Sequence, residues 1–135
     1  MKILIIDGQG GGIGRALTER LRARLPEAEI LAVGANAAAT AAMLRAGADA
    51  GATGENAVRV CCRDADVIAG PIGIVLADAM MGEITAAMAA SVATARAKRV
   101  LIPVQRCATV IAGAENLPLQ RLLEDAVDRI AEMDG

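Results

Sequence analysis

The chain has 135 residues, 55% of them hydrophobic, and a formal net charge of −2; this is enough to bury one core without disulfides or metal, and it leaves little room for a second domain. So apolar a composition excludes a disordered tail, and no uncharged stretch reaches the roughly 18 apolar residues of a membrane span. Scattered arginines and the lack of any aromatic residue give no footprint for nucleic acid, so neither that partner nor a membrane is expected.

Residues 2–6, apolar from Ile3 to Ile6 and ended by Asp7-Gly8, read as a strand buried on both faces of a parallel sheet. A glycine-rich turn follows, and from residue 13 to 25 the apolar positions Ile13, Leu17, Leu21 and Leu25 mark an amphipathic helix stopped by Pro26. Residues 29–33 predict a second strand, and 37–46 an alanine-rich helix closed by Gly47. A short third strand is expected over 48–52, with Thr53 as N-cap of a helix to about Arg63. Residues 67–69 read as a fourth strand, ending in Gly70-Pro71-Ile72-Gly73. A short helix before Gly82 and another over 85–95 come next, because Gly82 interrupts an otherwise helical stretch. Residues 99–104 predict a fifth strand and 109–112 a sixth, paired antiparallel across Gln105-Arg106-Cys107. The last helix follows a 3.6-residue period through Leu119, Leu122, Leu123, Ala126, Val127 and Ile130, with Asn116 as its cap. Alternating strands and helices indicate a single α/β domain over 1–135, a Rossmann-like, doubly wound, mostly parallel sheet with helices on both faces.

Between the first strand and helix lies Asp7-Gly8-Gln9-Gly10-Gly11-Gly12-Ile13-Gly14, a G-x-x-x-G-x-G arrangement of Gly8, Gly12 and Gly14. Gly8 suits a sharp turn, Gly12 the approach of a pyrophosphate to the backbone, and Gly14 close packing of helix on strand. Exposed amides and the positive dipole end of the helix favour an anion here. A glycine-rich turn that binds nothing is the competing reading, but the flanking strand and helix supply the context that phosphate binding needs.

Two more loops, containing Thr53 and Gly54 and then Gly70, Pro71 and Gly73, fall at strand ends that form the ligand crevice of an open parallel sheet. Each is also readable as a turn plus a cap. About 20 residues past the glycine loop, where an acid usually grips the ribose of NAD, the chain has Gly34-Ala35-Asn36. Asn36 is a candidate for a ribose hydroxyl or a 2′-phosphate, and Arg15 for a phosphate, although Arg15 is equally readable as a solvated side chain. NAD or NADP is the expected cofactor, the choice between them stays open, and a different nucleotide is not excluded.

Asp-Gly-x-x-x-Gly-Ile-Gly resembles the cofactor loop of short-chain dehydrogenases over about the first quarter of the chain. Those enzymes act through a Tyr and a Lys four residues apart, and this chain has no Tyr; the resemblance implies binding and argues against their catalysis. Over nearly the whole chain, residues 6–14, 51–57, 70–74 and 82–85 resemble the bacterial family known as domain of unknown function 3842. That resemblance implies a Rossmann-like fold and brings no established activity.

With neither His nor Tyr, proton transfer falls to Asp, Glu, Lys or Cys, and Ser91, the only serine, has no histidine to activate it. Asp78, Glu83, Glu55 and Asn56 approach the expected crevice edge, and a carboxylate among them is the first candidate for a base; the bland reading is a helix-start acid and solvated side chains. Cys107, beside Arg106, is the candidate thiol. Cys61 and Cys62 read as small hydrophobes in a helix, and no metal-ligand spacing is present. A start with four apolar residues before Asp7 is too short for a signal-peptide core of about 7 to 15 residues, and an odd set of thiols fits a reducing compartment, so a cytoplasmic protein is expected. Two functions remain open: a nucleotide-binding module without chemistry of its own, and a small oxidoreductase completed by another subunit, with a structural domain whose loop stays empty as a third. The apolar excess, including Met80 and Met81, predicts a homo-oligomer.

Overall fold

Ile3, Leu4, Ile5 and Ile6 are fully buried, and a strand with no solvent-facing side has to lie in the middle of a sheet. In the computed structural model, which describes residues 1–104, 108–114 and 117–134, this is where they are. Strand β1 (Lys2–Asp7) leads to α1 (Gly12–Arg24), β2 (Glu29–Gly34), α2 (Ala37–Arg45), β3 (Ala50–Thr53), α3 (Glu55–Cys61) and β4 (Val67–Pro71). A 3-10 turn (Ile72–Val75), α4 (Ala86–Ala93), β5 (Lys98–Ile102) and α5 (Leu119–Met133) complete the chain. The strand order is β3-β2-β1-β4-β5 and every pair is parallel. This is the order of the first five strands of a doubly wound Rossmann sheet, and the expected fold class is borne out.

Strand alternation divides β1 between two layers. Ile3 and Ile5 pack with Leu17 and Leu21 of α1, Met43 of α2 and Leu123, Val127 and Ile130 of α5. Leu4 and Ile6 face Val58 of α3, Met88 and Val92 of α4, and Ile84 just before it. Without aromatic rings the interior is filled by aliphatic and methionine side chains, and alanines such as Ala39 and Ala89 let α2 and α4 approach the sheet closely. Two helices start on side-chain caps: Asn36 Oδ1 accepts the Ala39 N–H at 2.9 Å, and Thr85 Oγ1 the Met88 N–H at 3.1 Å. Each such cap stabilises its helix by about 1 kcal/mol.

Several local expectations are corrected. Thr53 is not the cap of α3; it ends β3, and its hydroxyl pairs with Thr40 Oγ1 at 2.7 Å, so Gly54 takes the cap position. The expected sixth strand does not form, and among the described residues 108–114 show no strand. Thr109 and Ile111 instead line a cleft, so their β propensity is overridden by packing over the sheet end. The helix expected before Gly82 is reduced to the 3-10 turn, because Asp78, Met80, Met81 and Gly82 take positive φ, which a right-handed helix does not allow. Asn116 lies outside the described residues, and α5 starts after Pro118, whose fixed φ suits a helix start.

Gly70 shows how tightly the centre of the sheet is built. A Cβ there would overlap the carbonyl oxygen of Ile6 on the neighbouring strand, so β4 lies against β1 only because this residue has no side chain. Gly70→Ala should therefore destabilise the fold by about 1–3 kcal/mol, the usual cost of overpacking. Urea unfolding followed by circular dichroism would measure this, and a neutral alanine would show that the two strands are free to separate.

Candidate functional site

In this strand order β1 and β4 are the neighbours whose connections leave in opposite directions, and their carboxyl ends open a crevice. A cleft of about 800 Å³ occupies it, within the usual range for small-molecule sites. Of the residues singled out from sequence, Gly8, Gln9, Gly10, Gly11, Gly12, Ile13, Pro71 and Gly73 line this cleft, and Gly14, Asn36, Thr53, Gly54 and Gly70 do not. Thr53 and Gly54 belong to the outer end of the sheet, beyond β2. Gly70 serves the strand contact described above.

The glycine loop is shaped from within. Asp7, the last residue of β1 and 4% exposed, accepts the Gly8 N–H on Oδ1 and the Gly14 N–H on Oδ2, both at 2.7 Å. A carboxylate beneath the first turn of α1 satisfies one of its open amides and suits the positive end of the helix dipole. Gly11 has φ 73, and a Cβ there would lie 2.9 Å from Ala39 Cα, so both conformation and space require glycine. Gly12 has ordinary φ and nothing within 4 Å of a Cβ. The N–H groups of Gly10, Gly12 and Ile13 have no hydrogen-bond partner among the described residues. These three amides, at the cleft wall where α1 begins, are open to an anion.

Arg15 and Arg20 also line the cleft. Arg15 is half-exposed and pairs with Glu19 at 3.6 Å, while Arg20 bonds Ala16 O and Gln120. Apolar side chains make up much of the remaining lining, among them Ile72, Leu76, Met80, Val104, Leu119 and Leu123. Local pattern does not bring α5 to the cleft, since a helix at the far end of the chain reaches α1 only through the fold. The role of Asp7 was legible in principle, as an acid directly before a helix start.

The four polar candidates separate. Asp78 is exposed and lines the cleft, whereas Glu83, Glu55 and Asn56 do not. Glu55 accepts a hydrogen bond from Thr85 at 2.5 Å, tying α3 to the start of α4, and Asn56 Oδ1 accepts from Arg59 on its own helix. Asn36 is likewise engaged, its Nδ2 donating to Gln9 O at 2.9 Å and to Glu83 Oε2 at 2.8 Å. Met80 is turned inward against the core and only Met81 projects into solvent.

The model of the family described as domain of unknown function (DUF3842) matches residues 2–134. The chain belongs to this family. No curated protein matches it. Among solved structures, the dodecameric FMN-dependent UbiX-like decarboxylase of Escherichia coli O157:H7 is similar, with a TM-score of 0.53 and 18% identity over 100% of this chain and 95% of that one. At that identity the likeness establishes the fold. For this DUF3842 member the expectation of NAD or NADP is corrected: the fold neighbour is FMN-dependent, and Asn36, where a ribose acid would stand, is bonded internally to Gln9, Glu83 and Ala39. No helix among the described residues is long and apolar enough to cross a membrane.

Cys61 ends α3 and Cys62 follows as its cap, buried among Val58, Ile68 and Val92; Cys107 lies outside the described residues. Burial, and then the neighbouring Cys61 thiol, push the Cys62 pKa up to about 11. At pH 8 about one Cys62 in a thousand is then a thiolate, the reactive form. Iodoacetamide at pH 8 should leave Cys62 unmodified in the folded protein, as read by peptide mass spectrometry, and modify it once the chain is unfolded. Equal labelling in both states would show that the thiol is open to solvent.

Proposed function

We propose that the chain binds a phosphate monoester carried on a large apolar ring system, of the flavin mononucleotide kind, in the cleft between the glycine loop and α5. The observation that carries this reading is the set of three amides, at Gly10, Gly12 and Ile13, that have no partner among the described residues. Three amides at one helix start suit a single phosphate group, and the neighbouring Gly8 and Gly14 amides are taken up by Asp7. The apolar part of the cleft lining is the kind of surface that takes up a ring system. The FMN dependence of the fold neighbour supports the same ligand class. Bound flavin supplies hydride and one-electron chemistry, while the chain's own part is to hold the phosphate, cover the ring with aliphatic groups and offer Asp78 at the cleft for proton transfer.

Assembly of several copies is part of this proposal. Met81 is 96%, Val110 67% and Leu119 46% exposed, and Met81 and Leu119 belong to the cleft wall, so apolar surface is open beside the site. The fold neighbour is dodecameric.

Two measurements check these readings. Flavin emission is free of protein background in a chain without Trp or Tyr, and FMN should bind at least tenfold tighter than riboflavin, since hydrogen bonds to a charged group contribute about 1.5–3 kcal/mol. Gly12→Asp places a carboxylate in open space at the helix start and should abolish that difference while leaving the melting temperature nearly unchanged. Equal binding of FMN and riboflavin would remove the phosphate site, and no binding of either would remove the flavin reading. Sedimentation velocity should show an assembly that Met81→Lys with Leu119→Lys dissociates; a wild-type monomer at every concentration would end the assembly proposal.

A further inference from the structure

Gln9 has φ 49, a left-handed backbone that non-glycine residues keep only where the surroundings hold it. Two distant elements do so. Its N–H donates to Glu83 Oε1 at 2.5 Å, from 74 residues away, and its carbonyl accepts from Asn36 Nδ2 at 2.9 Å. The same Nδ2 donates to Glu83 Oε2 at 2.8 Å. Asn36 is not free to turn over, because its Oδ1 caps α2 through the Ala39 N–H. Both carboxylate oxygens of Glu83 and both backbone groups of Gln9 are thus matched to fixed partners.

Neither Glu83 nor Asn36 lines the cleft. They stand behind the glycine loop, with Glu83 Oε1 2.7 Å from the position a Cβ on Gly8 would take. In front of them Gly11 N–H donates to Gly8 O at 2.9 Å, closing a four-residue turn with Gln9 at its second position. The direction of the Gly10 and Gly12 amides follows from that turn. Glu83 is itself anchored: its N–H donates to Met80 O at 3.1 Å, and the next residue, fully buried Ile84, donates to Ala79 O at 3.2 Å. Asp78, Met80 and Met81 in this segment all have positive φ, a costly conformation that keeps the carboxylate at the back of the loop.

We propose that Glu83, together with Asn36, is a positioning residue that presets the glycine-loop amides for a phosphate without touching the ligand. The proposal rests on the reading of the cleft as a phosphate site. Its physical content is preorganisation: a loop already held in its binding conformation loses no order when the anion arrives.

The test uses Glu83→Ala and Asn36→Ser, the serine keeping a cap for α2 while removing the Nδ2 donor. In the ligand-free protein, amide exchange at Gly11, read by NMR, should accelerate at least tenfold in each variant. The double variant should go little further than the faster single one, because the two side chains act as one unit. With FMN, affinity should fall about tenfold, while riboflavin affinity changes less than twofold and circular dichroism shows the fold retained. A merely structural role would lower the affinities for both ligands together and leave their ratio intact, and that result overturns the proposal. Unchanged Gly11 exchange in both variants overturns it as well. Should the wild type bind no FMN, the proposed function falls, and Gly11 exchange alone decides the role of Glu83.

Discussion

The buried carboxylate of Asp7 ties together the end of β1, the glycine loop and the first turn of α1. Its two 2.7 Å bonds to Gly8 and Gly14 are charge-assisted, each contributing about 1.5–3 kcal/mol. They place an anion of the protein's own at the positive end of α1. Gly14 makes this geometry attainable, since a Cβ there would lie 2.9 Å from that of Asp7. This interaction ties the start of α1 to the end of β1 and removes two amides from those open to a ligand. With the Gln9 N–H on Glu83 and the Gly11 N–H on Gly8 O, the loop keeps three open donors among the described residues, at Gly10, Gly12 and Ile13.

The absence of aromatic residues shapes the rest of the molecule. A core of Ile, Leu, Val, Ala and Met packs densely only if its layers come close, and the alanine-rich α2 and α4 supply that closeness. The same composition gives the cleft an aliphatic wall. Leu76, Met80 and Leu123 are part of that wall; on the proposed reading they would cover a bound ring through area and shape, with methionine the adaptable part.

The two sides of the crevice are coupled by position in the fold. The glycine loop leaves β1, and the segment that carries Met80 and Glu83 follows β4, the strand beside it. One segment therefore walls the cleft with Met80 and braces the opposite loop from behind with Glu83. The unusual backbone at 78, 80 and 81 is where strain is concentrated, in keeping with the tendency of such conformations to gather at functional sites.

Much of the architecture was legible in the sequence, because it is governed by local pattern. The apolar run at 3–6 specifies a strand buried on both faces, the spacing of Leu17, Leu21, Leu123, Val127 and Ile130 specifies helices, and strands alternating with helices specify a parallel sheet. The glycine loop was found for the same reason: its residues are contiguous, and their backbone freedom is a local property. What the tertiary structure decided is everything that depends on which distant groups meet. Spacing alone does not show that Asp7 and Glu83 take loop amides, that Asn36 is spent on Gln9, or that α5 closes the cleft. Nor does local pattern reveal that residues 109–112, strand-like by propensity, form no strand and bring Thr109 and Ile111 to the cleft. A hydrogen bond between residues 74 apart is set by strand order and packing, and whether an amide remains open to a ligand is known only once its competitors inside the protein have been placed.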